Sequence, residues 1–204
     1  MTSTELSALL LLATVSSFTP GPNTTLSTAM AANHGLRHAM RFVCAVPVGW
    51  GLLLSLCALG LGRLVLSWPA LRWAIVVAGT AYLLWLARRL WGSTALQQAD
   101  PLRLQIGFVQ GVGLQFLNIK AWMLALALVG GWIAGREDAW ERTLVLLPIM
   151  VAYGFASNLA YAVAGSMLRH WLAQGERLRM FNRLMAVALA LTAVWMLLSA
   201  VRTA

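Results

Sequence analysis

Residues 19–23 are Thr-Pro-Gly-Pro-Asn, and they lie inside a charge-free stretch that runs from Leu6 to Leu36. Such a stretch is long enough to cross a bilayer, which takes about 20 apolar residues. The two prolines lack backbone N–H groups, and each disfavours helical geometry in the residue before it. We therefore predict a first transmembrane helix that is broken at Thr19–Asn23.

Five further stretches without charged residues follow this one. They extend from Phe42 to Gly62, Trp73 to Ala87, Leu104 to Ile119, Thr143 to Leu168 and Leu184 to Val201. The 204 residues are 60% hydrophobic and 10% charged, with a mean hydropathy of +0.76, whereas soluble domains carry about 25% charged residues. This composition predicts an all-α integral membrane protein of six transmembrane helices in one domain, residues 1–204.

The basic residues predict how the chain is oriented. A formal net charge of +9 would suggest nucleic-acid binding in a soluble protein, but here the arginines lie mostly between the hydrophobic stretches. Nine basic residues follow helices one, three and five, and five follow the other helices. Cytoplasmic loops are enriched in Lys and Arg, so we predict that both termini face outward and that no nucleic acid is bound.

Landmarks of the first half of the chain recur about 100 residues later. The matched pairs are a polar interruption at Thr19–Asn23 and at Asn118–Lys120, then Gly35 and Gly135, then Pro47 and Pro148. Three helices per half is an odd number, so two such halves would be inverted in the membrane. We predict inverted half-repeats of about residues 1–99 and 100–204.

The break in the first helix is a candidate substrate site. Irregular backbone at membrane depth is tolerated where it is buried in protein or lines a wet cavity. A half-helix that begins near Pro22 would present N–H groups and a positive dipole end, which suit a carboxylate. The candidate residues are Thr19, Pro20, Gly21, Pro22 and Asn23. The alternative is a kink that only shapes helix packing.

A lysine in the fourth hydrophobic stretch is the second candidate. The segment Phe116-Leu117-Asn118-Ile119-Lys120-Ala121-Trp122 places an ammonium group about midway between Leu104 and Trp132. An unpaired Lys in the membrane is costly, and all six acidic residues fall in or beside predicted loops. Backbone carbonyls, Asn118 or the substrate would then be the partner of Lys120. Alternatively, the helix begins later and Lys120 reaches the membrane interface.

Other reactive residue types form no recognisable site. The histidines share no ligand spacing with cysteine or carboxylate, and Cys44 and Cys57 are separated by roughly 20 Å along one predicted helix. We therefore predict no metal, no cofactor and no enzymatic activity. Four uncharged polar residues could line a cavity or bond across helices: Gln110, Gln115, Tyr153 and Asn158.

Over essentially its whole length the chain resembles the LysE/RhtB family of bacterial amino-acid exporters. The likeness rests on four segments in order, which are residues 19–23, 78–86, 107–121 and 181–184. They contain Thr-Pro-Gly-Pro-Asn, Ala-Gly-Thr-Ala-Tyr-Leu-Leu-Trp-Leu, Gly-Phe followed by Phe-Leu-Asn-Ile-Lys-Ala, and Phe-Asn-Arg-Leu. The resemblance implies a multi-pass protein of the bacterial inner membrane that exports amino acids, driven by a proton or other ion gradient.

Two departures from the family pattern narrow this expectation. The family usually has Asn-Pro-Lys-Ala in helix four, whereas Ile119 replaces the proline here. Some relatives carry an acidic residue in helix two, where this chain has Val-Gly-Trp-Gly at 48–51. We therefore expect a neutral amino acid or a derivative of the homoserine, threonine, leucine or cysteine type, with the coupling site unassigned. Pro20–Asn23 and Asn118–Lys120 would meet near the midplane.

Two other functions fit the same helices. The first is a passive channel, and the second is a non-transporting membrane scaffold in which Lys120 is only a surface anchor. The bilayer is the expected environment in each case, and a homo-oligomer is compatible with all of them.

Overall fold

The computed structural model of the protein describes residues 1–92 and 106–202. These residues form helices and connecting turns, with no strand among them. In chain order the helices are α1 (Ser3–Phe18), α2 (Pro22–His34), α3 (Leu36–Ala58), α4 (Leu61–Ser67), α5 (Pro69–Trp91), α6 (Phe108–Leu117), α7 (Ile119–Leu128), α8 (Ala139–Leu172) and α9 (Arg177–Arg202), and a π-helical turn, Val129–Ile133, extends α7. The all-α prediction is confirmed for this part of the chain.

Within the described residues, four helices are long and apolar enough to cross a membrane: α3, α5, α8 and α9. The bent pair formed by α6 and α7 with its π-helical turn counts as a fifth if it is taken as one span. Helix α1 is apolar but has only 16 residues. The structure therefore has four to five candidate spans, and the count of six remains a prediction.

The first helix is broken where the sequence predicts. Helix α1 ends at Phe18, Thr19 is extended (φ −68°, ψ 127°), and α2 begins at Pro22. Proline is well suited to the first position of a helix, because the N–H that it lacks would have no partner there. The prolines thus end one helix and begin the next.

The fourth hydrophobic stretch is also broken, although it lacks the family's proline. Helix α6 ends at Leu117, Asn118 is extended (φ −94°, ψ 100°), and α7 starts at Ile119 with its axis bent by 68°. Gly79 of α5 lies so close to this point that a Cβ atom there would clash with the backbone oxygen of Leu117. A neighbouring helix therefore packs directly on the break.

Small residues let the helices approach closely around these breaks. Helix α8 packs against both α2 and α3, while α5 packs against α9 and α3 against α6. A Cβ on Gly49 would lie 2.6 Å from the backbone oxygen of Val112, and one on Gly111 would lie 2.7 Å from Cβ of Ala45. Gly111 therefore has the packing role that small residues take between membrane helices.

The start of α1, the start of α8 and the end of α9 lie at one end of the bundle. Glu5 Oε1 accepts a hydrogen bond from Arg142 Nη1 at 3.1 Å, and Glu5 Oε2 accepts one from the Thr2 backbone N–H at 2.8 Å. These bonds hold the pKa of the Glu5 carboxyl at about 2, with the Thr2 bond as the larger cause. Near α4 and α5, Arg72 Nη2 donates to the Ala200 carbonyl at 2.9 Å.

The opposite end joins the end of α2, the end of α5 and the start of α9. Asn33 and Asn182 are both buried and exchange two amide hydrogen bonds of 2.7 and 3.0 Å. The guanidinium of Arg183 lies 5.2 Å from the centre of the Trp91 ring. These contacts therefore tie the ends of α2 and α5 to the start of α9.

Candidate functional site

A cavity of about 70 Å³ lies where the two helix breaks meet. Six of the seven predicted site residues line it, and Pro20 is the one that does not: the six are Thr19, Gly21, Pro22, Asn23, Asn118 and Lys120. Residues separated by about 100 positions in the chain are thus brought to one place. The remaining walls come from α1, α3, α7 and α8.

The Lys120 side chain connects the two breaks. Its Nζ donates to the Thr19 carbonyl at 3.0 Å and lies 3.4 Å from the position that a Cβ on Gly21 would occupy. Lys120 is half-buried, in the first turn of α7, and helix α6 begins well before it. Lys120 therefore lies at the break between α6 and α7.

The charge of this lysine is uncompensated within the described part of the chain. The ion pairs found there involve only Glu5, Asp138 and Glu176 as acids, and none of them reaches Lys120. Side chains tilt toward the N-terminus of their helix, so the ammonium group projects beyond the start of α7. It lies next to Gly21, which caps α2, so the positive ends of two helices and one cation face the same cavity.

The first turn of α2 offers backbone donors to this cavity. The N–H of Gly21 is bonded to Thr24 Oγ1 at 2.9 Å, and the Thr25 N–H is bonded to the Gly21 carbonyl at 2.9 Å. Pro22 has no N–H, so the Asn23 and Thr24 N–H groups are the donors that a helix start leaves without an intrahelical partner. Both residues line the cavity. An anion fits this arrangement.

Asn118 shapes the second break. Its Oδ1 accepts a hydrogen bond from the Lys120 backbone N–H at 3.1 Å and so caps α7. The indole N–H of Trp122 donates to the Phe116 carbonyl at 2.8 Å, which satisfies a group that the break sets free. Side chains thus replace the helical bonds that are lost here.

Two polar pairs join α2 to other helices beside the cavity. Asn23 and Gln115 exchange hydrogen bonds of 2.8 and 3.2 Å, and Ser27 Oγ donates to Asn158 Oδ1 at 3.0 Å. Gln115 and Asn158 therefore bond across helices, and Asn158 also lines the cavity.

Several residues around the cavity were not predicted as a site. They are Ser16, Ser17, Thr24, Trp50, Met150 and Ser157. The serines gave a faint signal as hydroxyl residues inside hydrophobic stretches. Trp50 and Met150 gave none, because only the packing of α3 against α8 brings them to the cavity.

The described residues contain no group of three or more His, Cys, Asp or Glu side chains that could hold a metal ion. The cavity walls offer hydroxyls, amides, backbone groups and one ammonium, alongside Val46, Pro47, Leu124 and other apolar side chains. Two broken helices around a small cavity that contains polar groups, inside an apolar bundle, are typical of a membrane transport protein.

The comparison with known families agrees with that class. The chain belongs to the LysE type translocator family, whose model matches residues 14–200. The expectation of a translocator rather than an enzyme is therefore confirmed by family membership.

Relatives with curated names cover nearly the whole chain. A cysteine/O-acetylserine efflux protein of Klebsiella pneumoniae is 32% identical, over 95% of this chain and 97% of its own length. Proteins of the same name from Salmonella typhimurium and Escherichia coli K12 are 28% and 27% identical, each over 96% of both chains. No solved structure matches the chain.

Proposed function

We propose that the protein exports neutral amino acids or their derivatives, of the homoserine, threonine, leucine or cysteine type, across the bacterial inner membrane. The observation that carries the proposal is the Lys120 ammonium, which lies in a cavity at two helix starts with no carboxylate partner among the described residues. The family consists of translocators, and the relatives' names refer to cysteine and O-acetylserine efflux.

Six crossings fit this function better than four or five. Helices α1 and α2 together connect the Glu5–Arg142 end of the bundle to the Asn33–Asn182 end, so the broken pair traverses the bundle once. The pair α6 and α7 forms a second broken crossing. With α3, α5, α8 and α9 this makes six, and the end that carries more arginines would be cytoplasmic, which leaves both termini outside.

Pairwise packing supports two inverted half-repeats. In such a repeat, α1 would correspond to α6, α2 to α7, α3 to α8 and α5 to α9. The contact between α3 and α6 then has its counterpart in the contact between α8 and α1. The extensive contact between α2 and α8 has a smaller counterpart between α3 and α7. Alternating access would then follow from rocking one half against the other.

Substrate binding would begin at the carboxylate. Lys120 and the N–H groups of Asn23 and Thr24 supply a cation and two donors for it, and charge-assisted hydrogen bonds are the strong ones. The amides of Asn23 and Asn118 are placed beside the rest of the molecule. The described residues that line the cavity include no acidic side chain, so a substrate with a cationic side chain would lack a partner among them.

The cavity must widen to admit an amino acid. Its volume of about 70 Å³ is well below the roughly 300–1,000 Å³ of typical ligand pockets. A substrate carboxylate would replace the Thr19 carbonyl as the acceptor for Lys120. That exchange removes one of the bonds between the two halves, which links occupancy to their relative motion.

Export by cells tests the proposal. Overproduction of the protein should raise the external concentration of its amino-acid substrate, and Lys120→Met should abolish this while the protein remains folded and in the membrane. Arg63→Met is the matched control, because Arg63 is exposed and lies outside the central cavity. Undiminished export by Lys120→Met would remove the lysine from the mechanism.

Energy coupling is tested in liposomes. Saturable transport of the amino acid that stops when the proton gradient is collapsed supports a proton-driven exporter. Unsaturable transport that persists without any ion gradient would identify a passive channel. If no amino acid is transported, the result would support the alternative of a non-transporting membrane scaffold.

A further inference from the structure

The break in the first helix frees backbone carbonyls as well as N–H groups. In a continuous helix the carbonyl of each residue bonds to the N–H four positions later. For Ser16 and Phe18 those positions hold Pro20 and Pro22, which have no N–H. Helix carbonyls point toward the C-terminal end, so the last ones of α1 point toward the break.

Two of the carbonyls at the break have other partners. The Phe18 carbonyl accepts a hydrogen bond from the Tyr161 hydroxyl at 2.9 Å, and the Thr19 carbonyl accepts one from Lys120. The N–H of Gly21, which would serve Ser17 in a continuous helix, is bonded to Thr24 instead. No donor from the described residues reaches the carbonyl of either Ser16 or Ser17.

These two residues are half-buried and line the same cavity as Lys120. A buried carbonyl without a donor costs free energy, so a ligand that supplies N–H groups gains by binding there. The C-terminal end of a helix also carries a partial negative charge, which favours a cation.

We propose that the Ser16 and Ser17 carbonyls bind the α-ammonium group of the substrate. This inference rests on the proposed function and makes it more specific. The broken helix then receives a zwitterion with matching polarity, its carboxylate at the start of α2 and its ammonium at the end of α1. The substrate class is α-amino acids with a free amino group, and carboxylic acids without that group bind weakly.

Binding to purified protein tests this with paired probes. L-cysteine should bind about 10- to 100-fold more tightly than 3-mercaptopropionate, which lacks only the amino group, and than N-acetylcysteine, in which the amino group is uncharged. Replacing all sodium by a bulky organic cation should leave the affinity for cysteine unchanged.

A proline substitution tests the role of the Ser16 carbonyl directly. Pro20→Ala lets α1 extend through the now extended Thr19 and supplies the N–H that then bonds to the Ser16 carbonyl, so the Kd for cysteine should rise about tenfold while the Kd for 3-mercaptopropionate stays the same. Pro148→Ala is the matched control: it also restores a helical N–H, but in α8 at an exposed position outside the cavity. It should leave both constants unchanged.

The outcomes separate the two levels of the proposal. Equal affinity for cysteine and 3-mercaptopropionate in the unmodified protein would keep the transport function and overturn the ammonium subsite. If cysteine no longer binds when sodium is replaced, the carbonyls would be assigned to a metal cation, and the ammonium subsite would be overturned as well. Binding of neither compound, together with no export of any amino acid, would remove the proposed function itself.

Discussion

The two helix breaks look alike in space but differ in their chemistry. The break at Thr19–Gly21 is made by two prolines, which remove backbone donors whatever surrounds them. The break at Asn118 has no proline and depends on an asparagine cap, an indole that bonds to a freed carbonyl, and a glycine on another helix. The first break is local and the second depends on neighbours.

This difference makes the second break the more sensitive one. A break fixed by covalent structure persists when packing changes, whereas one held by contacts with α5 and by side chains of α7 is lost when those contacts are lost. The position of the Lys120 ammonium group depends on both breaks. Its backbone lies at the second break, and its Nζ donates to the Thr19 carbonyl at the first.

The largest expected effect is that of Gly79→Ala. Its new Cβ would clash with the backbone oxygen of Leu117, and such overpacking costs about 1–3 kcal/mol. Thermal unfolding in detergent should therefore shift to lower temperature. Gly113→Ala is the control, since Gly113 is exposed on α6 with nothing near its Cβ position. Equal stability of the two variants would show that the close approach of α5 does not support the break.

Asn118→Ala should have a smaller effect on stability and a separate one on binding. Loss of a helix N-cap costs about 1 kcal/mol, and here it also loosens the start of α7 that carries Lys120. Thr2→Ala removes an equivalent cap from α1, far from the cavity. Both variants should lose similar stability, but only Asn118→Ala should bind substrate more weakly. Equal binding by both would make Asn118 purely structural.

The bond between the two breaks can be measured by a double-mutant cycle. Asn23 follows the first break and Gln115 precedes the second, and their amides exchange two hydrogen bonds. The pair Asn23→Ala and Gln115→Ala should show a coupling free energy of about 0.5–1.5 kcal/mol in unfolding experiments. Additive effects would mean that the two regions are held together by other contacts.

The smallest effect concerns the far end of α1. The pKa of Glu5 is lowered from 4.5 to about 2 in the folded protein, so its contribution to stability is present above about pH 4.5 and is lost as the pH falls toward 2. Glu5→Gln should lower the unfolding temperature at pH 7, and the difference should shrink below pH 4. Glu176→Gln, which removes an exposed ion pair with Arg179, should change little at either pH.

Much of the candidate site could be predicted from the sequence because its signals are covalent or electrostatic. Prolines inside a hydrophobic stretch and a lysine without an acid are visible without coordinates, and both Gly21 and Lys120 were found to line the cavity. Trp50 and Met150 could not be predicted, since apolar residues carry no sign of which face of a helix meets a cavity. The break at Asn118 had a weaker signal in the sequence, because Ile119 stands where the family usually has proline and the glycine that packs on the break, Gly79, belongs to another helix.

The sequence alone determined that this is an all-helical membrane protein, where its first helix breaks, and which cation lies within the fourth hydrophobic stretch. These features depend on composition and on backbone chemistry, which act at each residue regardless of its neighbours. Only the tertiary structure decided that the two breaks share one cavity, that Lys120 bonds to the Thr19 carbonyl, and that a helix without proline bends at Asn118. Those features depend on contacts between residues far apart in the chain, and only folding brings such residues together.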